Sequence, residues 1–326
     1  MKLVVTPINR TLDVPAGANL LNVLREHGVP ISYSCMAGRC GTCRCRVLKG
    51  QVLEAGRESR TPMAEDRFVL ACQSVLTENC TIEVPESDEI VVHPARIIKA
   101  SVLSMATLTH DVRQLRVRLT KPLAYSPGQY VQLQFGAGLV RPYSMAGLGD
   151  DELEFHVRVM PNGRASQYVA DELKAGDSVR VTGPLGTAYL RYKHSGPICC
   201  VAGSTGLAPI LSIVRGALAA GMTNPIHLYF GVRTPRDLYG EPWLRSLADC
   251  HPNLKIHVVI ANGNADRTRR SGLVTDAVAA DWAEFSGSRA YVCGPPPMVE
   301  ATALLMKQRG LPREHLYADA FYPTGT

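Results

Sequence analysis

Ser34-Cys35-Met36-Ala37-Gly38-Arg39-Cys40-Gly41-Thr42-Cys43 is the stretch on which the reading of this chain turns. Its cysteines are spaced C-x4-C-x2-C, and Cys72 follows after 28 further residues. Four thiolates so placed hold two bridged irons, a 2Fe-2S cluster. Gly38 and Gly41 let the backbone wrap closely and aim N–H groups at the sulfurs. Cys35, Cys40, Cys43 and Cys72 are therefore the expected metal ligands, and one-electron transfer the expected chemistry. A structural zinc site is the competing reading, but zinc takes paired short-spaced knuckles, whereas here three ligands cluster and the fourth stands alone. Cys45, two residues beyond Cys43, is read as packing in the strand that leaves the loop.

The rest of the chain bounds what surrounds that loop. Its 326 residues exceed one average domain, and 46% apolar content allows a sizeable core. The net charge of +6 comes from scattered Lys and Arg, which excludes a nucleic-acid footprint while allowing an acidic protein partner to be steered. Six of the ten cysteines lie outside the cluster set, in apolar or motif settings, and a reducing cytoplasm is expected. Met1 to Pro7 has no signal-peptide core, and the longest apolar run, Ile198 to Val214, is interrupted by Gly203-Ser204-Thr205-Gly206, so no membrane span is expected.

Three segments differ in pattern. Residues 1–92 read as strands at Leu3 to Ile8 and Thr11 to Val14, a helix from Asn19 to His27, the cysteine loop, and strands near Cys43 to Lys49 and Cys80 to Val84. A helix on a mixed sheet is a β-grasp arrangement. Residues 95–193 alternate polar and apolar, as in Leu115-Arg116-Val117-Arg118-Leu119, with Pro-Gly turns and one helix from Ser166 to Lys174, which predicts a small antiparallel β-barrel. Residues 196–326 show buried strands followed by helices: Ile198 to Ala202 then Pro209 to Ala219, Ile226 to Phe230, Leu254 to Ile260, and Arg289 to Cys293 then Met298 to Gln308. That alternation predicts an α/β parallel sheet whose ligand crevice lies at the carboxyl ends of the strands.

Motifs sit where these segments offer sites. Arg141-Pro142-Tyr143-Ser144 places a cation, an aromatic ring and a hydroxyl along one strand, suited to a pyrophosphate and a planar ring, although an ordinary strand also fits. Pro161-Asn162-Gly163-Arg164-Ala165-Ser166 opens a helix whose free N–H groups suit a phosphate. Gly203-Ser204-Thr205-Gly206-Leu207-Ala208-Pro209 carries a buried strand into a helix, and Cys293-Gly294-Pro295-Pro296-Pro297-Met298 ends a second strand at the same edge. For the first a plain turn, and for Cys293 a small buried side chain, are the plainer readings.

Taken in order, these motifs with Gly183-Pro184-Leu185-Gly186 and Tyr229-Phe230-Gly231-Val232-Arg233 resemble the ferredoxin-NADP reductase superfamily with a plant-type ferredoxin fused in front. His93-Pro94-Ala95-Arg96-Ile97-Ile98 and Ala318-Asp319-Ala320-Phe321-Tyr322-Pro323 narrow it to the reductase components of naphthalene-type Rieske ring-hydroxylating dioxygenases. The resemblance implies an NAD(P)H:ferredoxin oxidoreductase: hydride passes to FAD, then single electrons pass through the 2Fe-2S cluster to a Rieske-type ferredoxin or terminal oxygenase component. It implies Arg141, Gly163 and Ser166 at the FAD pyrophosphate with Val157 in the same site, Tyr143 on the flavin ring, and Ser144 near its N5. Gly203, Thr205 and Gly206 would take the coenzyme pyrophosphate, Arg233 the adenosine end, Cys293 the nicotinamide, and Phe321 the other flavin face. Ser144, Cys293 and Phe321 are the implied catalytic set. NADH is the implied coenzyme, with NADPH also admitted by Arg233 and Arg236.

Competing readings are a reductase serving a di-iron monooxygenase or deoxysugar dehydratase, a redox-sensing flavin and iron-sulfur module without turnover, and a zinc-stabilised interaction protein. The nine histidines are dispersed with no metal spacing, and Arg267, Arg269 and Arg270 read as a solvated loop.

Overall fold

A computed structural model describes residues 1–29, 31, 43–54, 68–84, 93–136, 138–263 and 268–322. The chain divides into two compact units: Met1–Val92 with Leu185–Thr187, and His93–Pro184 with Ala188–Thr326.

In the first unit the strands are β1 (Lys2–Thr6), β2 (Arg10–Asp13), β3 (Arg44–Lys49), β4 (Val52–Glu54), β5 (Phe68–Leu70), β6 (Ser74–Leu76) and β7 (Cys80–Glu83), with helix α1 at Leu20–Glu26. Five strands form a mixed sheet ordered β2-β1-β7-β3-β5, with β1 and β7 parallel, while β4 and β6 pair separately. The helix is shorter than the Asn19 to His27 expected, because both ends are caps: the Asn19 side chain accepts from Asn22 N, and Gly28 turns left-handed at φ 62. Leu20, Leu21, Val23 and Leu24 bury one face of α1 against Leu3, Val5, Val47 and Ile82 of the sheet. This is the expected β-grasp fold.

The second unit begins with β8 (Arg96–Thr107), β9 (Val112–Leu119), β10 (Tyr130–Phe135), β11 (Leu139–Ser144), β12 (Glu152–Arg158), α2 (Arg164–Asp171) and β13 (Ser178–Leu185), the last strand belonging to it as far as Pro184. The strand order is β11-β10-β13-β8-β9-β12, and an antiparallel bridge between Met145 and Phe155 joins the two edges into a barrel. Period-two alternation turns Leu115, Val117, Val131, Leu133, Phe155 and Val157 inward, each fully buried. Helix α2 starts two residues earlier than expected, since the Ser166 hydroxyl turns back to accept from Met160 N at 3.0 Å and Gly163 takes the cap position.

Then follow β14 (Ile198–Gly203), α3 (Leu207–Ala219), β15 (Ile226–Val232), α4 (Glu241–Cys250), β16 (Leu254–Ile260), β17 (Arg269–Ser271), α5 (Val274–Asp281), β18 (Arg289–Gly294), α6 (Pro296–Gln308) and β19 (Leu316–Ala320). They make a parallel sheet ordered β17-β16-β15-β14-β18-β19. Cys200 and Ala202 face the core under α3 and α4, while Cys199 and Val201 face the core under α5 and α6, so β14 is apolar on both sides. The sequence reading had no counterpart for α4, α5 or the short edge strands β17 and β19.

Arg269 and Arg270 are not a solvated loop. They lie on β17 and pair with Glu241 and Asp281, each at 2.8 Å, while Arg267 lies outside the described residues. Adjacent strands also bring His227 and His257 together, stacked with ring nitrogens 3.4 Å apart, a pairing that sequence spacing conceals. No helix among the described residues is long and apolar enough to cross a membrane.

Candidate active site

Two of the four expected metal ligands, Cys35 and Cys40, lie outside the described residues. Cys43 immediately precedes β3 and is buried; Cys72 sits in a single 3-10 turn, Ala71–Gln73, between β5 and β6 and is half-buried. The Ala71 N–H bonds the Cys43 carbonyl at 2.8 Å, bringing the two cysteines together, and the Cys72 N–H donates to Cys43 Sγ at 3.3 Å. Gln73 Nε2 stands 3.7 Å from Cys72 Sγ. Thiols that are not joined in a disulfide, with N–H donors aimed at sulfur, fit the charge-rich sulfurs of an iron-sulfur cluster. Cys45 differs: burial, with Cys43 and Cys80 nearby, pushes its thiol up to about 12, so it packs as a neutral side chain.

In the barrel, β11 is the edge strand, which is why Pro142 can stand within it. Alternation half-buries Arg141 and Tyr143 and leaves Pro142 exposed. The Tyr143 ring lies edge-on to Phe135 at 6.3 Å, and burial raises its phenol to about 12. Ser144, one residue on, donates its hydroxyl to Asp319 Oδ2 at 3.5 Å. Val157 has its side chain in the barrel core, so only its backbone can face a cofactor. A Cβ on Gly163 would come within 2.5 Å of Ser166 Oγ and 2.9 Å of Met160 Cβ, which explains glycine there. The Ser166 hydroxyl itself donates to Gly163 O at 3.0 Å.

On the parallel sheet, β14 leads through one 3-10 turn, Ser204–Gly206, into α3. A Cβ on Gly206 would lie 2.0 Å from the Cys293 carbonyl, and one on Gly203 would lie 2.5 Å from Met298 Sδ. The glycines therefore let the β14 and β18 loops touch at the carboxyl edge of the sheet, where ligands of such sheets bind. Ser204 adopts φ 52, and Thr205 is buried. Arg158 joins this loop to the barrel, reaching Ser204 Oγ at 3.5 Å while its Nε holds Asp111 at 3.0 Å. Arg233 is exposed and pairs with Asp237 at 3.4 Å.

Asp319 pairs in register with Cys293, so β18, β19 and β11 bring Cys293, Asp319 and Ser144 together. The Phe321 N–H bonds the Gly294 carbonyl at 2.9 Å, tying that aromatic to the end of β18. Burial pushes the Cys293 thiol well up, with Asp319 adding to it, so it stands as an uncharged thiol. Burial also raises the Asp319 carboxyl to about 6, against the lowering effect of the Ser144 hydroxyl. A carboxyl with that pKa can hold or release a proton near neutrality. The sequence reading noted Asp319 only as standing, with Ala320, where benzoate-type relatives carry an acid-lysine pair, and left it out of the site residues, since the burial that raises its carboxyl is not visible along the chain. It also passed over Glu154 and Tyr239, which enclose His156 from both sides.

Known proteins match the chain segment by segment. Residues 3–77 match the 2Fe-2S iron-sulfur cluster binding domain family, residues 99–189 the oxidoreductase FAD-binding domain family, and residues 200–303 the oxidoreductase NAD-binding domain family. The chain is 58% identical, over 100% of both chains, to the ferredoxin–NAD(P)+ reductase component of the naphthalene 1,2-dioxygenase system of Pseudomonas putida. It is 59% identical, again over 100% of both, to the corresponding component of the naphthalene 1,2-dioxygenase and salicylate 5-hydroxylase systems of Ralstonia sp. Among solved structures, the Amycolatopsis cytochrome P450 reductase matches with TM-score 0.74 and 36% identity over 99% of each chain. With its cysteine pair, flavin-type barrel and dinucleotide-type sheet, the chain belongs to the family of ferredoxin–NAD(P)+ reductase components that unite 2Fe-2S, FAD-binding and NAD-binding domains.

Proposed function

We propose that this protein is the NAD(P)H-dependent reductase component of an aromatic ring-hydroxylating dioxygenase system, delivering single electrons to a Rieske-type ferredoxin or to the terminal oxygenase component. The observation that carries the reading is the meeting of Ser144, Cys293 and Asp319 where the barrel and the parallel sheet join. When bound, FAD supplies two-electron uptake from hydride and release one electron at a time. Within this reading residues 1–92, 95–193 and 196–326 are the cluster, FAD and NAD(P)H domains.

The chain's own groups take the remaining roles. Arg141 offsets the pyrophosphate charge of the flavin nucleotide, the helix that opens at Gly163 and Ser166 adds N–H donors, and Val157 contributes its backbone. Tyr143 and Phe321 offer ring faces that exclude water. Ser144 donates a hydrogen bond at the reacting edge of the ring, and Asp319 behind it holds the proton. Gly203, Thr205 and Gly206 admit the coenzyme pyrophosphate, with Cys293 leaving an apolar seat for the nicotinamide. Thiolates of Cys35, Cys40, Cys43 and Cys72 hold the irons. The Arg233–Asp237 pair favours NADH, since Asp237 already offsets the charge that would draw a 2′-phosphate. A cytoplasmic location fits ligands that must stay reduced.

The test is anaerobic titration of the purified, brown-yellow protein with NADH. Bleaching of the visible bands, and reduction of cytochrome c or of a Rieske ferredoxin at catalytic rates, is the expected outcome. A bound flavin that NADH leaves oxidised would refute turnover and favour a sensor.

A further inference from the structure

Buried polar groups link the barrel to the loop after β14. The His156 side chain on β12 is 0% exposed; its Nε2 lies 3.1 Å from Glu154 Oε1. Its Nδ1 lies 3.1 Å from the Tyr239 hydroxyl, and the same hydroxyl lies 3.4 Å from the Ser204 carbonyl. Glu154 accepts a further bond from Gln114 at 2.9 Å, and the Trp243 ring from α4 lies tilted against the imidazole at 5.9 Å. Ser204 holds a positive φ of 52, which a residue with a Cβ adopts only under constraint from its surroundings.

The protons in this chain can be counted. Burial raises the Glu154 carboxyl, but the bonds from His156 and Gln114 and the Arg215 charge outweigh it and hold the group down at about 2. Glu154 is therefore an acceptor, and His156 Nε2 carries a proton. Tyr239, whose phenol burial pushes well up, has one proton to donate and two acceptors within reach. With His156 neutral, the lone pair on Nδ1 takes it, and the Ser204 carbonyl keeps only the Leu207 N–H of its own 3-10 turn. With His156 doubly protonated, Nδ1–H donates to the Tyr239 oxygen and the phenol proton turns to Ser204. Because the peptide is planar and trans, drawing the Ser204 carbonyl toward Tyr239 fixes the Thr205 N–H on the opposite side.

We propose that His156 is a positioning residue for coenzyme binding: through Tyr239 it sets the Ser204–Thr205 peptide in the loop that receives the NAD(P)H pyrophosphate. The inference rests on the assignment of that loop to the coenzyme. The charged and titratable groups facing His156 are Glu154 on its own strand, Tyr239 from the loop before α4, and Arg215 from α3. Burial lowers the His156 pKa from 6.5 and Arg215 opposes its charge, while Glu154 works the other way. The doubly protonated form, which steadies the loop, exists below that lowered pKa and is lost as pH rises through it.

The test is calorimetric titration of the oxidised holoenzyme with NAD+ from about pH 8 down to about pH 4.5, well below the ordinary imidazole range, for wild type, His156→Gln and Tyr239→Phe. Wild-type affinity falls about three- to tenfold as pH rises across the range, the worth of one hydrogen bond. Both variants bind NAD+ with a flat pH profile and keep the flavin spectrum. A flat wild-type profile, or a wild-type profile in either variant, overturns the proposal, and Tyr239→Phe decides alone if His156→Gln does not fold. Thr205→Asp separates the underlying assignment. Should that carboxylate leave NAD+ affinity unchanged, the loop reading fails; should it abolish binding with the flavin spectrum intact while both other variants track wild type, the His156 proposal alone fails.

Discussion

Asp319 shows how much a single side chain can depend on its surroundings. Its carboxyl would titrate near 3.8 in water, but burial raises it to about 6 in the fold. Because the folded-state value is raised, the native state binds this proton more tightly than the unfolded chain does. The associated stability is complete below pH 3.8 and is lost as pH rises through about 6. Asp319→Asn therefore leaves the thermal midpoint unchanged in acid and raises it above wild type beyond pH 6, compared by scanning calorimetry at equal flavin loading. Parallel curves for the two proteins would show that the carboxyl is not desolvated. The same substitution removes the proton held behind Ser144, so stability and hydride transfer should move in opposite directions.

At the scale of elements, α3 ties the dinucleotide sheet to the barrel. It is buried along nearly its whole length, and Gly216 lets it approach the turn at Pro127, where an added Cβ would lie 2.6 Å from Pro127 Cγ. In an exposed helix Gly→Ala gains about 1 kcal/mol, whereas overpacking a tight contact costs about 1–3 kcal/mol. The contact wins here. Gly216→Ala should lose about 1 kcal/mol, seen as a lower urea midpoint for release of flavin fluorescence. A higher midpoint would mean that the Pro127 turn yields freely. The glycines of the β14 loop follow the same logic, since Gly206 makes room for the Cys293 carbonyl and would be required even without a ligand.

For the whole molecule, the division of labour between flavin and cluster yields a separable phenotype. Cys72→Ser should abolish cytochrome c reduction while sparing ferricyanide reduction, which draws on the flavin directly; equal loss of both would contradict a serial path. Much of this architecture was legible along the chain because its signals are local. The cysteine spacing, the alternation in Tyr130–Phe135 and the unbroken apolar run of β14 each follow from a few adjacent residues and the geometry of one element. Helix ends slipped by two residues where a cap decided them, as at Ser166, whose hydroxyl turned back into its loop. Composition and spacing were thus enough for the three kinds of fold. Only the tertiary structure could bring Ser144 to Asp319, 175 residues apart, and His156 to Tyr239, 83 apart. Such meetings depend on strand order and sheet closure, which no short window of sequence contains, and the burial they create is what shifts the protons at the site.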